Sequence, residues 1–215
     1  MSTIAIIDYG MGNLHSIAKA VEHVAGKERI TVTSDHQAIL AADRVVFPGV
    51  GAIRDCIAEL QRTGLDDVIR KVVTDRPVLG ICLGLQALFD ENEENDGIAC
   101  LGILPGKVVR FPGGLQDEAS GETLKIPHMG WNQVMPAHEH ALWKEIPAGS
   151  RFYFVHSYHA VPARLDDVAA TTEYGYEFCS VVSHDMLFAV QFHPEKSQHA
   201  GLQLLANFVA WKGEP

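Results

Sequence analysis

The stretch Val78-Leu79-Gly80-Ile81-Cys82-Leu83-Gly84-Leu85-Gln86 decides the fold of this chain. Its first part is apolar and partly β-branched, which is typical of a buried parallel strand. From Leu83 to Phe89, most residues are good helix formers. The stretch therefore predicts a strand, a sharp turn at Cys82 and the start of a helix.

A cysteine at such a turn is a candidate nucleophile. Gly80 and Gly84 leave space around Cys82, as the glycines do around the nucleophile of G-x-S-x-G enzymes. The N–H groups at a helix N-terminus favour a thiolate and can stabilise an oxyanion. A lone cysteine is more often an inert core residue. Two flanking glycines at a strand-to-helix switch favour the nucleophile instead.

The order of apolar patterns indicates the fold class. Up to Cys82, strand patterns such as Ile4–Ile7, Ile30–Thr33 and Arg44–Phe47 alternate with helical ones. This order predicts an α/β fold with a mostly parallel central sheet flanked by helices. From Cys100 onward the strands are short and lack long intervening helices, which predicts an antiparallel β extension of the sheet. No linker or repeat interrupts the chain, so residues 1–215 are expected to form a single domain.

Composition limits the classes of partner. The chain has 215 residues, of which 47% are hydrophobic and 20% charged, and a net charge of -10. The acidic excess argues against nucleic acid or an anionic membrane as partner. No apolar run approaches the roughly 18 residues of a membrane span, and the N-terminus looks like a strand rather than a signal peptide. The 4 cysteines form no C-x-x-C pair, so we expect a cytoplasmic protein without a metal site.

A candidate base lies near the end of the chain. His193 and Glu195 flank Pro194 at the end of the apolar strand Leu187–His193, and an extended segment would place both side chains on one face. A carboxylate beside an imidazole fixes its tautomer and stabilises the imidazolium. Such a histidine can take the proton of a cysteine thiol. The sequence therefore predicts a triad of Cys82, His193 and Glu195.

Other segments leave alternatives open. Pro48-Gly49-Val50-Gly51 is either a loop that turns its N–H groups toward a ligand or a plain connection. The acidic run from Asp90 to Asp96 is a solvated loop, or it supplies one carboxylate to a substrate ammonium. Pro112 to Glu122 is polar and Gly-rich, which predicts a mobile loop. Pro127 to Asn132 is expected to expose the three large side chains His128, Met129 and Trp131.

The Cys82 elbow together with His193-Pro194-Glu195 resembles the class I (triad) glutamine amidotransferases, over nearly the whole chain. That family has a flavodoxin-like sheet. Five further segments resemble, within the family, the glutaminases that form a heterodimer with a separate (β/α)8-barrel cyclase subunit: Asp8–Leu14, Pro48–Gly51, Pro127–Asn132, Tyr153–Tyr158 and His193–Ser197.

The resemblance implies roles for individual residues. Cys82 would attack the glutamine side-chain amide, His193 would act as base and then acid, and Glu195 would orient His193. Backbone N–H groups of Val50 and Leu83 would hold the oxyanion, with Gly49 and Gly51 letting the loop turn. Substrate glutamine would be held by Gln86, Glu94, Ser157 and Tyr158. The cyclase interface would include Asn13, Trp131, Tyr153 and Lys196. No cofactor is implied.

Three other functions compete with this one. The chain could be a glutaminase that feeds another synthase, such as those of anthranilate or pyridoxal phosphate synthesis. It could be a non-catalytic domain that keeps the fold, although the intact triad residues argue against this. It could also be a peptidase, since Cys–His–Glu chemistry can cut peptide bonds.

Overall fold

The first part of the chain alternates strands and helices, as predicted. The computed structural model describes residues 2–117 and 120–214. Up to Gln86, its elements are β1 (Thr3–Ile7), α1 (Leu14–Val24), β2 (Arg29–Thr33), α2 (His36–Ala41), β3 (Arg44–Gly49), α3 (Ile53–Thr63), α4 (Leu65–Val72), β4 (Val78–Cys82) and α5 (Leu83–Gln86).

The second part consists mostly of strands and ends in one long helix. Its elements are β5 (Glu91–Asn92), β6 (Ile98–Ala99), β7 (Gly106–Arg110), β8 (His128–Gln133), β9 (Met135–Pro136), β10 (Arg151–His156), β11 (Tyr158–Pro162), β12 (Val168–Glu173), β13 (Glu177–His184), β14 (Leu187–Val190) and α6 (Gln198–Ala210). None of the helices in the described ranges is long and apolar enough to cross a membrane.

The main sheet has the order β2-β1-β3-β4-β14-β13-β11-β7-β5-β6, with β12 and β9 attached beside β13. Strands β2, β1, β3, β4 and β14 pair in parallel. From β13 to β7 the pairing is antiparallel. The predicted fold class, a mostly parallel sheet with an antiparallel extension, is confirmed, whereas the single-domain organisation stays a prediction.

Both faces of the sheet are covered by helices. One face packs against apolar residues of α2, α3 and α4, among them Ile39, Leu60 and Ile69. The other face packs against α1 and α6, through residues such as Val21 and Leu204. These side chains are fully buried, so the parallel strands are apolar on both sides.

Strand β14 is the last strand in sequence but lies beside β4 in the sheet. Val190 of β14 pairs with Ile81, and Gly49 of β3 pairs with Cys82. The carboxyl ends of β3, β4 and β14 therefore meet at one edge, where ligand sites of open α/β sheets form. This topology brings the segment after β14, which contains His193, next to Cys82.

The helix predicted to start after Cys82 is present, and it ends at Gln86. Two other local predictions are wrong. Strand β14 ends at Val190, and a 3-10 turn over Pro194–Lys196 follows His193. His128 is buried rather than exposed, since it lies on the inner side of the β8–β10 pair.

The predicted loop from Pro112 to Glu122 carries hairpin-like pairing. The Leu124 N–H donates to the Leu115 carbonyl over 2.8 Å, and Gln116 forms a bridge with Thr123. Residues 118 and 119 lie outside the described residues.

Candidate active site

The turn at Cys82 has the backbone of a nucleophile elbow. Cys82 adopts φ 54° and ψ -108°, a conformation that non-glycine residues rarely occupy. A Cβ on Gly84 would overlap the carbonyl oxygen of Phe47, and one on Gly80 would lie 2.8 Å from the Ala189 Cβ. The two flanking glycines are therefore required by close packing, which holds the strained turn in place.

His193 and Glu195 form a buried pair beside the elbow. The Nδ1 atom of His193 lies 2.9 Å from Oε1 of Glu195, whose side chain is 4% exposed. The His193 N–H donates to the Tyr153 carbonyl over 2.9 Å, and the Ser197 hydroxyl donates to the His193 carbonyl over 2.6 Å. The predicted contact is present, but the 3-10 turn over Pro194–Lys196 makes it, not the extended geometry expected from the sequence.

The surroundings of His193 favour its charged form. Burial lowers the pKa of this imidazole, but the neighbouring Cys82 sulfur and the Glu195 carboxylate raise it more, so that the pKa is raised to about 10. The buried Nε2 atom has no hydrogen-bond partner of regular geometry within the described residues. An imidazolium whose Nε2–H faces the nucleophile can deliver a proton to a leaving group.

One cavity of about 520 Å³ opens over these residues. It is lined by most of the residues singled out from the sequence: Asn13, Val50, Gly51, Cys82, Leu83, Gln86, Glu94, Ser157, Tyr158, His193 and Lys196. Pro127, Val155 and His156 complete the lining. A cavity of this size can hold an amino-acid side chain together with its α-amino and carboxylate groups.

The loop after β3 borders the nucleophile. Gly49 is the last residue of β3 and pairs with Cys82, so Val50 is the first residue beyond the paired strands. A Cβ on Gly49 would lie 2.8 Å from the backbone nitrogen of Gly84, and Gly51 has φ +102°. The loop thus approaches the start of α5 as closely as backbone can, which suits the predicted oxyanion role of Val50 and Leu83.

Two predicted substrate ligands are already engaged by protein groups. The Gln86 side-chain nitrogen donates to the Tyr158 carbonyl over 3.2 Å and to Gln191 Oε1 over 3.0 Å. Glu94 Oε2 accepts from the Ile53 N–H over 2.9 Å, at the N-terminus of α3. The Gln86 amide protons are therefore committed within the protein, whereas no hydrogen-bond donor among residues 2–117 and 120–214 reaches Glu94 Oε1.

Two of the four predicted interface residues, Asn13 and Lys196, line the cavity, and Tyr153 connects Lys196 to Trp131. Trp131 is 39% exposed and contacts the Tyr153 ring edge-to-face, with centroids 6.1 Å apart. The Lys196 ammonium lies 5.9 Å from the centroid of the Tyr153 ring. Asn13 is exposed and its side chain accepts from the Ser16 N–H at the start of α1. Trp131 is therefore not a core residue.

Two residues at the site, Gln191 and His156, were not predicted from the sequence. Gln191 is fully buried and its side-chain nitrogen lies 3.7 Å from the Cys82 sulfur. His156 lines the cavity and hydrogen-bonds to His128 over 2.9 Å. Gln191 offered one signal, since it is a lone polar residue between the apolar Val190 and Phe192. In the described ranges, no cluster of three or more His, Cys, Asp or Glu side chains could hold a metal ion.

The chain is similar to known proteins of one family. A profile of the glutamine amidotransferase class-I family matches residues 5–211. The fold is similar to PurLQS from Thermotoga maritima, with a TM-score of 0.71 and 16% identity over 97% of this chain and 98% of that one. It is also similar to a solved glutamine amidotransferase, with a TM-score of 0.67 and 18% identity over 96% and 99% of the two chains. The chain therefore belongs to the class I glutamine amidotransferases.

Relatives that match over nearly their whole length show which member of this class the chain resembles. The chain is 60% identical to the imidazole glycerol phosphate synthase subunit HisH of Methylococcus capsulatus, over 99% of this chain and 98% of the relative. It is 60% identical to the HisH subunit of Nitrosococcus oceani and 59% identical to HisH 1 of Pseudomonas aeruginosa, in each case over 99% of both chains. Within the class, the chain belongs to the HisH subunits of imidazole glycerol phosphate synthase.

Proposed function

We propose that Cys82, His193 and Glu195 hydrolyse glutamine to glutamate and ammonia, and that the ammonia passes to a (β/α)8-barrel cyclase subunit in histidine biosynthesis. The observation that carries this proposal is one cavity in which an elbow cysteine meets a carboxylate-paired imidazole. The cytoplasm is the compartment we assign, since Cys56, Cys82, Cys100 and Cys179 are all free thiols.

The chemistry has two halves. The Cys82 thiolate attacks the side-chain carbonyl carbon of glutamine, and the N–H groups of Val50 and Leu83 hold the resulting oxyanion. The C–N bond breaks as His193 Nε2 gives its proton to the departing nitrogen, which leaves ammonia and a glutamyl thioester. His193 then takes a proton from water, the hydroxide attacks the thioester, and glutamate leaves as the Cys82 sulfur is released.

The α-ammonium group of the substrate glutamine calls for a carboxylate in the cavity. Glu94 has one carboxylate oxygen bound to the Ile53 N–H, and its other oxygen can accept from the α-ammonium group of glutamine. Ser157 and Tyr158 lie at the junction of β10 and β11 and line the same cavity as Glu94. Together these residues suit a free amino acid rather than an extended peptide.

The partner surface in this proposal is the β8–β10 pair. Its inner side carries His128, Phe154 and other buried residues, whereas its outer side carries Met129 (60% exposed) and Trp131. Exposed large apolar side chains beside a polar rim are typical of protein interfaces. Lys196 and Asn13 lie at the adjacent cavity mouth, so a barrel subunit docked there would cover the site and receive the ammonia.

Ammonia release from glutamine tests the proposal. We would measure it for the chain alone and for the chain with the barrel subunit and its nucleotide ligand, with casein as a peptidase control. Strong stimulation by the complex, with no casein cleavage, is the expected result. Equal activity with and without the barrel would assign the chain to another synthase, and no ammonia in either case would overturn the glutaminase.

A further inference from the structure

Three buried amide side chains form an unbroken series that ends at the nucleophile. Asn92 Nδ2 donates to Gln86 Oε1 over 3.2 Å, and Gln86 Nε2 donates to Gln191 Oε1 over 3.0 Å. Gln191 Nε2 in turn lies 3.7 Å from the sulfur of Cys82, within the range of an N–H to sulfur hydrogen bond. Gln191 and Asn92 are fully buried and Gln86 is 4% exposed, so water does not compete for these bonds.

Two backbone groups fix the direction of the whole series. The Tyr158 carbonyl can only accept, so the Gln86 atom 3.2 Å from it is the amide nitrogen. The Glu94 N–H can only donate, so the Asn92 atom 2.9 Å from it is the amide oxygen. With the orientations of Asn92 and Gln86 fixed in this way, Gln191 presents its oxygen to Gln86 and its N–H group to the sulfur.

We propose that Gln191 is a catalytic residue of the glutaminase reaction, which hydrogen-bonds to the Cys82 sulfur and is held in that orientation by Gln86 and Asn92. This inference rests on the proposed function for the reaction that the sulfur performs. The contact between Gln191 and the sulfur can be tested without glutamine.

The physical effect of this contact is on the charged state of the sulfur. Cys82 is a thiolate before it attacks and again when the thioester is hydrolysed, and an N–H donor favours the thiolate over the thiol. An amide exchanges no proton in this range of pH, so Gln191 does not replace His193 as base. The Gln191 backbone N–H donates to the Ser180 carbonyl over 2.8 Å, which anchors the residue on β13.

Other charged and titratable groups also surround Cys82. His193 with Glu195 lies beside it, and His156, Glu94 and Lys196 line the same cavity. Tyr9 lies below the Gly49 loop, with its hydroxyl 2.8 Å from the position of a Gly49 Cβ. Each of these groups is retained in the variants below, so a change in sulfur reactivity can be assigned to the amide series.

The test is the pH dependence of Cys82 alkylation by iodoacetamide in the Gln191→Leu variant. Burial raises the pKa of Cys56, Cys100 and Cys179 to about 12 each, so these three thiols should contribute little to alkylation below pH 9. Loss of a hydrogen bond to a charged group should move the alkylation midpoint upward by about 1 to 2 pH units. In complex with the barrel subunit, kcat for glutamine at pH 7 should fall about 10- to 100-fold, with little change in KM.

Two further variants make the result specific. Asn207→Leu removes a buried amide that donates to the Leu142 and Lys144 carbonyls, and it should leave the midpoint unchanged. Asn92→Leu removes the far end of the series without adding a charge, and its midpoint should shift in the same direction as that of Gln191→Leu, by a smaller amount. Thermal unfolding shows whether each variant is folded at the assay temperature.

The outcomes separate the two proposals. A folded Gln191→Leu variant with the wild-type alkylation midpoint and kcat would overturn the role of Gln191. A shift in Gln191→Leu with none in Asn92→Leu would overturn the orienting role of the series. If the wild-type complex released no ammonia while the alkylation shift was present, the proposed function would fail and the contact with sulfur would stand.

Discussion

Two groups of buried histidines lie at the same cavity, and the protein treats them in opposite ways. His193 faces the Glu195 carboxylate and the Cys82 sulfur, and its pKa is raised to about 10. His128 and His156 face each other, and burial lowers the pKa of His128 to about 4 and that of His156 well below its usual value. Both His193 and His156 line the cavity.

The difference in pKa comes from the hydrogen-bond partners of each imidazole. His156 Nδ1 lies 2.8 Å from the Tyr158 carbonyl, so this nitrogen carries the proton and Nε2 accepts from His128 Nδ1. His128 Nε2 then accepts from the Asn132 side-chain amide. Each ring donates once and accepts once in its neutral form, so an added proton would point two N–H groups at each other. His193 instead has an anionic partner on one side and the reactive sulfur on the other.

Burial alone therefore does not decide whether a histidine is charged. At this site, the imidazoles that exchange hydrogen bonds with neutral groups have lowered pKa values, whereas the imidazole paired with a carboxylate has a raised pKa. The neutral pair also has a structural consequence, because it fixes the Tyr158 carbonyl that orients the Gln86 amide. In the proposed function the charged pair performs the chemistry, whereas the neutral pair holds the surrounding backbone in place.

Removal of the Cys82 sulfur, which faces His193, should have the largest effect on activity. Cys82→Ala should lower glutamine hydrolysis by the complex at least about 10⁴-fold, because the thioester cannot form. Binding of the barrel subunit should be retained, since Cys82 is buried at the elbow. Ammonia release and sedimentation of the complex would measure the two effects. A variant with residual activity near wild type would contradict the nucleophile assignment.

Removal of the charge from Glu195 should have a smaller effect. Glu195→Gln keeps an oxygen for His193 Nδ1 but loses the anion, so kcat should fall by about 100-fold. Glu59, a half-buried residue that pairs with Arg62, supplies the control variant Glu59→Gln, expected to keep full activity. Wild-type kcat in Glu195→Gln would contradict the orienting role.

The same variant should also change the pH dependence of stability. Because the folded-state pKa of His193 is raised, its contribution to the free energy of unfolding is complete below pH 6.5 and is lost as pH rises toward 10. Glu195→Gln should therefore be less stable than wild type by about 1 to 3 kcal/mol near pH 6. The difference should shrink as pH rises, and urea unfolding at several pH values would measure it.

The sequence predicted the fold and the contact between His193 and Glu195, but for partly wrong local reasons. Apolar runs and two glycines were enough for the elbow, because the strain at Cys82 is a local property. The contact between His193 and Glu195 was expected from an extended segment, whereas it forms in a 3-10 turn that begins at Pro194. Proline suits the first position of such a turn as well as it suits a strand end, so the pattern did not separate the two.

Contacts between distant residues were beyond the sequence. Gln191 and Cys82 are 109 positions apart and meet only because β14 lies beside β4. His128 was expected at the surface, but the register that pairs it with His156 directs both side chains inward. Side chains alternate along a strand, so a shift of one position would have exposed His128 and buried Met129. No short-range pattern specifies that register.

The two faces of the β8–β10 pair also differ, since one is buried and the other is exposed. Trp131 is exposed on the strand that buries His128, so Trp131→Ala should weaken binding of the barrel subunit about 10- to 100-fold. Leu165→Ala, which truncates a side chain that is 85% exposed before β12, should leave that affinity unchanged. Isothermal titration would measure both. If Trp131→Ala bound the barrel subunit with unchanged affinity, the interface would have to lie on another surface.

The smallest effect concerns the neutral histidine pair. His128 has a lowered pKa when folded, so the unfolded chain binds more protons between pH 6.5 and 4, and wild type loses stability as pH falls through this range. His128→Gln keeps an N–H donor for His156 and cannot be protonated. The variant should therefore reduce the slope of the free energy of unfolding against pH by up to one proton. Between pH 6.5 and 5.5 this is a difference of about 1 kcal/mol. His199→Gln, which removes an exposed imidazole, is the control in urea unfolding. An identical slope in wild type and His128→Gln would mean that the pair accepts a proton in the folded state, and the contrast with His193 would disappear.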